Sequence, residues 1–177
     1  KPIATTFKGL KQIKEAYTDS DSYLAAMFGA RYNPWFYTAH KLVTAGAIGD
    51  IRLMNAQKSY KIGNRGQNFK KREIYGGTIP WVGSHAVDWL HWFSNKRFKK
   101  VYASHSTKSN SGHGQLEATA LVHFDMEEDI FGSINIDYLR PQNASTHGDD
   151  RIRLAGTEGV LEVCKRKVTL INKETDG

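Results

Sequence analysis

Three stretches in the first half of the chain repeat apolar residues at helical spacing, whereas the second half is given over to short alternating runs. Thr5 or Thr6 caps a first helix in which Phe7, Leu10, Ile13 and Tyr17 share a face, and the polar run Thr18 to Ser22 closes it. Tyr23 to Phe28 reads as a short buried strand ended by Gly29. Asn33 and Pro34 open a second helix as cap and first-turn residue, and Gly46 stops it. Ile51 to Ile62 predicts a long strand, with Ile51, Leu53 and Asn55 on one side and Met54, Ala56 and Tyr60 on the other. The third helical stretch, Gly76 to Trp92, follows a glycine pair. It places Ile79, Val82, Ala86, Trp89, Leu90 and Phe93 on one side, and Pro80 suits its first turn. Thereafter Phe98 to Thr107, Leu116 to Phe124, Ile130 to Leu139, Arg151 to Ala155, Val160 to Val163 and Val168 to Ile171 read as strands, separated by turn-forming residues.

Helices followed by closely spaced strands predict an α+β architecture, an open, antiparallel-dominated β-sheet with helices packed on one face. The other sheet face must be solvated or paired. Tyr138, Phe131 and Val122 leave room there for a homo-oligomer, a dimer or tetramer in which two sheets meet. A chain of 177 residues with 40% hydrophobic content builds one domain with a sizeable core, and no internal repeat is visible.

Composition adds a net charge of +7, much of it local. Lys58, Lys61, Arg65, Lys70, Lys71 and Arg72 crowd around one acid, Glu73, interleaved with Tyr60 and Phe69. The segment from Gly63 to Tyr75 is long for a mere connection, so it reads as a lid or binding loop. A solvated face is the bland reading of such a charge run, and a phosphate or carboxylate ligand is the sharper one. Nucleic acid is not the expected partner, since it would demand phosphate contacts with steep salt dependence. The single cysteine, Cys164, excludes an internal disulfide framework and fits a cytoplasmic location. No run of eighteen apolar residues and no basic-then-apolar leader is present, so no membrane partner is expected. The chain opens on Lys1-Pro2 without an initiator methionine and stops at Gly177, which suggests a fragment.

The candidate chemistry lies in the third helix. His85 is the strongest single candidate, because imidazole as a group titrates near neutral pH and could take a proton from a substrate hydroxyl, although a lone histidine on an apolar helix is more often a core residue. Asp88, three residues on, is placed to accept the ring proton of His85 or to tie down a neighbouring backbone. No metal is expected, because His85 and His91 diverge by about 120° around the helix. Ser84 and His85 point apart and make no nucleophile pair. Gly63-Asn64-Arg65-Gly66 lacks the spacing of a phosphate loop, no G-x-G-x-x-G occurs, and Asn143-Ala144-Ser145 as a glycosylation acceptor has no meaning in a cytoplasmic protein.

Four segments, in order, resemble the glucose-fructose oxidoreductase, inositol dehydrogenase and rhizopine-catabolism (Gfo/Idh/MocA) family. Lys1-Pro2-Ile3-Ala4-Thr5-Thr6 resembles the tail of its E-K-P motif. Met27 to Pro34, then Ala45-Gly46-Ala47-Ile48-Gly49-Asp50-Ile51, resemble its strand, helix and G-x-I-G-x-I turn. Gly76-Gly77 to Asp88 is similar to its G-G-x-x-x-D-x-G-x-H-x-x-D segment, and Ile152 to Val163 to its late strand pair. The resemblance implies the C-terminal, substrate-binding domain of a two-domain NAD(P)-dependent oxidoreductase, with the Rossmann nucleotide-binding domain absent from this chain. Residues 1–22 would be hinge and linking helix, and 23–177 the sheet domain.

It further implies hydride transfer between the nicotinamide of NAD or NADP and the carbinol of a sugar, cyclitol or related polyol. Lys1 matches the motif lysine that polarises the substrate oxygen, Lys1 and Pro2 would border the cofactor, and His85 would be the general base. Trp81, Asp88, Arg31, Tyr32, Lys61, Arg65, Lys70, Lys71 and Arg72 are expected to shape the substrate site, the basic loop favouring acidic or phosphorylated sugars. The departure is Trp81, where the family usually has an aspartate one helical turn before the histidine. Indole only donates, so Trp81 would desolvate His85 and weaken it as a base. Trp81 either offers an apolar face to a sugar ring or marks a drifted member that serves as a ligand-binding or assembly module. The choice of substrate, of NAD or NADP and of direction is not written in these residues. The fragment alone, lacking the nucleotide domain, is expected to be inactive.

Overall fold

A computed structural model describes residues 2–176. Helices α1 (Phe7–Thr18) and α2 (Pro34–Thr44) precede strand β1 (Ile51–Tyr60); the one-turn helix α3 (Arg72–Tyr75) and helix α4 (Ser84–Ser94) follow it. Then come β2 (Phe98–Ser106), β3 (Thr119–Met126), β4 (Phe131–Asp137), β5 (Gly148–Gly156), β6 (Gly159–Cys164), β7 (Lys167–Asn172) and β8 (Thr175–Asp176). All eight strands form one open sheet in the order β2-β3-β4-β1-β5-β6-β7-β8.

Each neighbouring pair is antiparallel except β1 with β4. That exception follows from chain order. β3, β4, β5, β6 and β7 are joined by short or moderate connections, and β1, made earlier, slots between β4 and β5, with Leu53 opposite Phe131 and Met54 opposite Leu154. The α+β architecture is therefore as the hydrophobic pattern predicts. Helix α4 lies over β1 and β4, and α2 over β6 and β7. Between helices and sheet sit Phe36, Met54, Trp89, Leu90, Ile134, Ile136, Ile152, Leu154 and Leu161, all buried. Each such side chain contributes about 1.5–3 kcal/mol of transfer free energy. Phe36 and Trp89 bring α2 and α4 together, with ring centroids 4.5 Å apart.

Four expectations are corrected. Tyr23 to Phe28 forms no strand: no neighbouring strand of the described chain pairs with it, and Tyr23 and Met27 stand exposed. Likewise α1, capped by Thr6 as expected, buries none of its residues, and Phe7 is 93% exposed. Val122 and Tyr138 lie on the helix-covered face of the sheet, so of the three residues assigned to the open face only Phe131 is exposed. Finally, a bulge between Ile51 and Leu53 resets the alternation of β1. Ile51 is buried while Leu53 faces outward, so the two do not share a side.

Candidate active site

The entry to α4 decides where His85 points. Residues Ile79–Gly83 form a wide, π-type turn with Pro80 in its first positions, and Ser84 continues it as an ordinary α-helix. Gly83 lies against β4: a Cβ there would come within 2.6 Å of Ile136 Cδ1, so the missing side chain lets the helix start settle on the sheet. The turn is anchored from below by Glu117, a carboxylate 2% exposed. Glu117 accepts hydrogen bonds from the Thr78 amide at 3.0 Å and from the Tyr75 hydroxyl, and it pairs with the Arg72 guanidinium; its carbonyl accepts from the Thr78 hydroxyl at 2.8 Å.

His85, half-buried, opens onto a cavity of about 190 Å³ walled by Tyr60, Arg65, Trp81, Val82, Tyr138 and His147. Phe28 meets the His85 ring edge-on at 5.9 Å. The Arg65 guanidinium lies over the Tyr138 ring at 4.7 Å and is fixed by the carbonyl of Ile62 at 2.8 Å. Phe69 packs edge-on against Trp81 at 5.3 Å. Burial pushes the Tyr138 phenol up to about 12 and raises that of Tyr60 as well, so both remain neutral. Tyr138 Oη is buried without a hydrogen-bond partner among the described residues, at the wall of a polar cavity.

The predicted site residues are thus divided. His85, Trp81 and Arg65 meet in this cavity. Asp88 faces Arg31 instead, and the two form a bidentate pair, with Arg31 Nε 2.9 Å from Asp88 Oδ2. Tyr32 is 85% exposed. Lys61 reaches the Ala144 carbonyl at 2.5 Å, and Arg72 is held by Glu117. Lys70 holds structure through its backbone, its carbonyl accepting from Gln115 at 3.0 Å, and Lys71 is exposed. Pro2 borders a separate, largely apolar cleft of about 450 Å³ with Phe28, Ile79, Pro80, Ser84, Val87, Asp88, His91 and Phe98. Lys1 lies outside the described residues. His91 bonds the Lys96 carbonyl at 3.1 Å.

Residues that the sequence did not single out complete the surroundings. Tyr60 and His147, whose rings lie 5.4 Å apart, are shared between the His85 cavity and a neighbouring cleft of about 760 Å³. Gly148 makes room for this arrangement, since a Cβ there would lie 2.8 Å from the Tyr60 ring. Lys58, buried in the core, bonds Asp150 Oδ2 at 2.6 Å and lies over the rings of Tyr60 and Trp89; desolvation lowers its pKa against the pull of Asp150. The available signal was aromatic and basic residues at strand ends: Tyr60 closes β1, and Tyr138 stands just past β4.

The chain matches the Gfo/Idh/MocA C-terminal domain over residues 36–162 and belongs to that family. A candidate oxidoreductase from Thermotoga maritima is 56% identical and superposes with a TM-score of 0.97, covering 98% of this chain and 54% of its own. A second candidate oxidoreductase, from Erwinia carotovora atroseptica, is 23% identical with a TM-score of 0.87, covering 98% of this chain and 56% of its own. Levoglucosan dehydrogenase, solved with NADH and L-sorbose, is 19% identical with a TM-score of 0.82, covering all of this chain and 51% of its own. The last two likenesses speak to the fold alone. The chain spans about half the length of these structures. No match was found among proteins with curated descriptions.

Proposed function

We propose that this chain is the substrate-binding and catalytic half of an NAD(P)-dependent oxidoreductase that acts on the carbinol of a sugar, cyclitol or related polyol. The observation that carries the reading is the cavity at His85. Imidazole, a guanidinium, an indole and two neutral phenols surround a space suited to a small polyol, and the buried Tyr138 hydroxyl has no hydrogen-bond partner among the described residues, one that a substrate hydroxyl would supply. His85 takes the hydroxyl proton on oxidation and returns it on reduction. Arg65 and Tyr60 orient the ring, and Trp81 excludes water on one side. Lys1 shares the proton chemistry, as the family motif implies.

A bound nicotinamide supplies the hydride acceptor or donor. The apolar cleft of Pro2, Phe28, Ile79 and Pro80 suits the face of such a ring, and levoglucosan dehydrogenase, which shares the fold, is solved with NADH and a sugar. The nucleotide phosphates belong on a separate Rossmann domain. The bare apolar surfaces of Phe7, Tyr23 and Met27 support that partner, because a single domain gains nothing by leaving them in water. Leu53, Leu121 and Phe131 on the open sheet face support a homo-oligomer, and the single free cysteine, Cys164, fits a cytoplasmic location.

One observation favours a second reading. Trp81 cannot accept a proton or balance an imidazolium, which fits a drifted ligand-binding or assembly module. The test is to supply the intact protein with NAD+ or NADP+ and a panel of neutral and acidic sugars and cyclitols, following reduced nicotinamide. Turnover of at least one polyol supports the oxidoreductase. Sugar binding without any reduced nicotinamide supports the module.

A further inference from the structure

The cleft beside the His85 cavity has a charge pattern that neutral-sugar chemistry does not require. Its walls carry Arg140, Arg151, Lys165 and Arg166, with His147 and the hydroxyls of Ser145 and Thr146, against Asp149 and Asp150. Asp150 is already engaged by Lys58 at 2.6 Å. Asp149 serves two arginines, Arg151 through two bonds of 3.0 and 2.6 Å and Arg140 at 3.6 Å. The Arg151 hydrogen bond, with the charges of Arg151, Arg140 and Lys165, holds the Asp149 carboxyl below its ordinary value. Lys165 and Arg166 remain without a carboxylate partner closer than 4 Å among the described residues.

The backbone at these two residues is unusual. They form the two-residue turn between β6 and β7, closed by the Cys164–Lys167 pair, and both have positive φ, 50° and 63°. Such a turn favours Asn-Gly, because side chains with a Cβ are strained there. Two long cations therefore occupy a turn where they are conformationally disfavoured. The turn projects them onto the rim of the cleft, with the Arg166 guanidinium 5.7 Å over the Trp35 ring. Strain of this kind concentrates where backbone geometry serves a site.

We propose that this cleft is a subsite for an anionic substituent, a phosphate or carboxylate, carried by the sugar away from its reacting carbinol. Lys165 and Arg166 hold the anion, Arg151 adds charge from the floor, and the Trp35 ring seats the Arg166 guanidinium. The inference rests on reading the His85 cavity as the site of hydride transfer. Tyr60 and His147 border both spaces, so one molecule reaches from His85 into the cationic cleft. The preference for acidic sugars that the sequence suggested through the loop of Lys70 and Lys71 is thereby assigned to the β6–β7 turn instead.

The decisive variant is Lys165→Asn combined with Arg166→Gly, which removes both charges while installing the turn sequence the backbone prefers. Binding of glucose 6-phosphate, glucuronate and glucose to the full chain is followed by backbone NMR, with thermal melting recorded in parallel. The wild-type chain is expected to bind at least one of the two anionic sugars about tenfold or more tightly than glucose, the scale of charge-assisted hydrogen bonds. The double variant is expected to lose that preference with an unchanged or raised melting temperature. Binding of glucose 6-phosphate alone assigns the subsite to phosphate, and binding of glucuronate alone to carboxylate. Equal binding of all three sugars, no binding of either anionic sugar, or a preference that survives in the double variant overturns the proposal. Failure of NAD(P)-linked turnover with anion binding intact would remove the hydride-transfer reading and leave the subsite standing.

Discussion

Asp88 and Arg31 hold one another through two hydrogen bonds, joining the middle of α4 to the turn that leads into α2. Asp88 is 8% exposed and Arg31 36%, so the carboxylate is the member that loses most when the partner goes. Arg31→Ala and Asp88→Ala should each lower unfolding free energy by about 1–3 kcal/mol, less than a fully buried pair because the arginine still meets solvent. The double variant should cost much less than their sum in urea melts, as a coupled pair demands. Additive effects would show that the two side chains act separately.

Glu117 ties Tyr75, Thr78 and Arg72 together beneath the start of α4. Glu117→Ala leaves the half-exposed Arg72 guanidinium and the Thr78 amide without their acceptor, and about 1–3 kcal/mol should be lost, since Arg72 can still be solvated. Glu117→Gln keeps a carbonyl for Thr78 and should recover part of it. Amide hydrogen exchange across residues 76–85 reads the effect locally, with faster exchange expected in both variants.

His40 stacks flat on Trp92 at 4.1 Å, and burial, helped by the nearby Arg31 charge, lowers its pKa from the ordinary 6.5. The folded protein therefore binds this proton less readily than the unfolded chain. The stabilising contribution of neutral His40 is complete above pH 6.5 and is lost as pH falls from there through the lowered folded value. Urea titrations at several pH values should show stability rising across that window. His40→Phe, which keeps a ring over Trp92, should flatten this part of the slope; an unaltered slope would remove His40 from the account.

The layer structure was legible because apolar alternation and helical repeats survive any change of partner: Ile134 and Ile136, or Trp89 and Leu90, have one place to go. Tyr23 to Phe28 shows the limit of that logic, since an apolar run predicts burial but not which chain provides it. The bulge after Ile51 also escaped, because one extra residue flips a strand face without changing composition. At the site, His85, Trp81 and Arg65 could be named from motif and charge, whereas Tyr60, Tyr138 and His147 come from three places in the chain and converge only through the β1–β4–β5 register. Arg72 and Lys61 looked like ligand-binding cations for the same reason: their carboxylate and carbonyl partners, Glu117 and Ala144, are far away in sequence.

The role of His85 is tested most directly by steady-state turnover of the intact protein carrying His85→Ala, with NAD+ or NADP+ and the best polyol from the panel. Loss of a general base predicts a fall in kcat of about 10²-fold or more, with the melting temperature close to that of the parent. Unchanged kcat in a folded variant would contradict the assignment and leave His85 as a packing residue of α4.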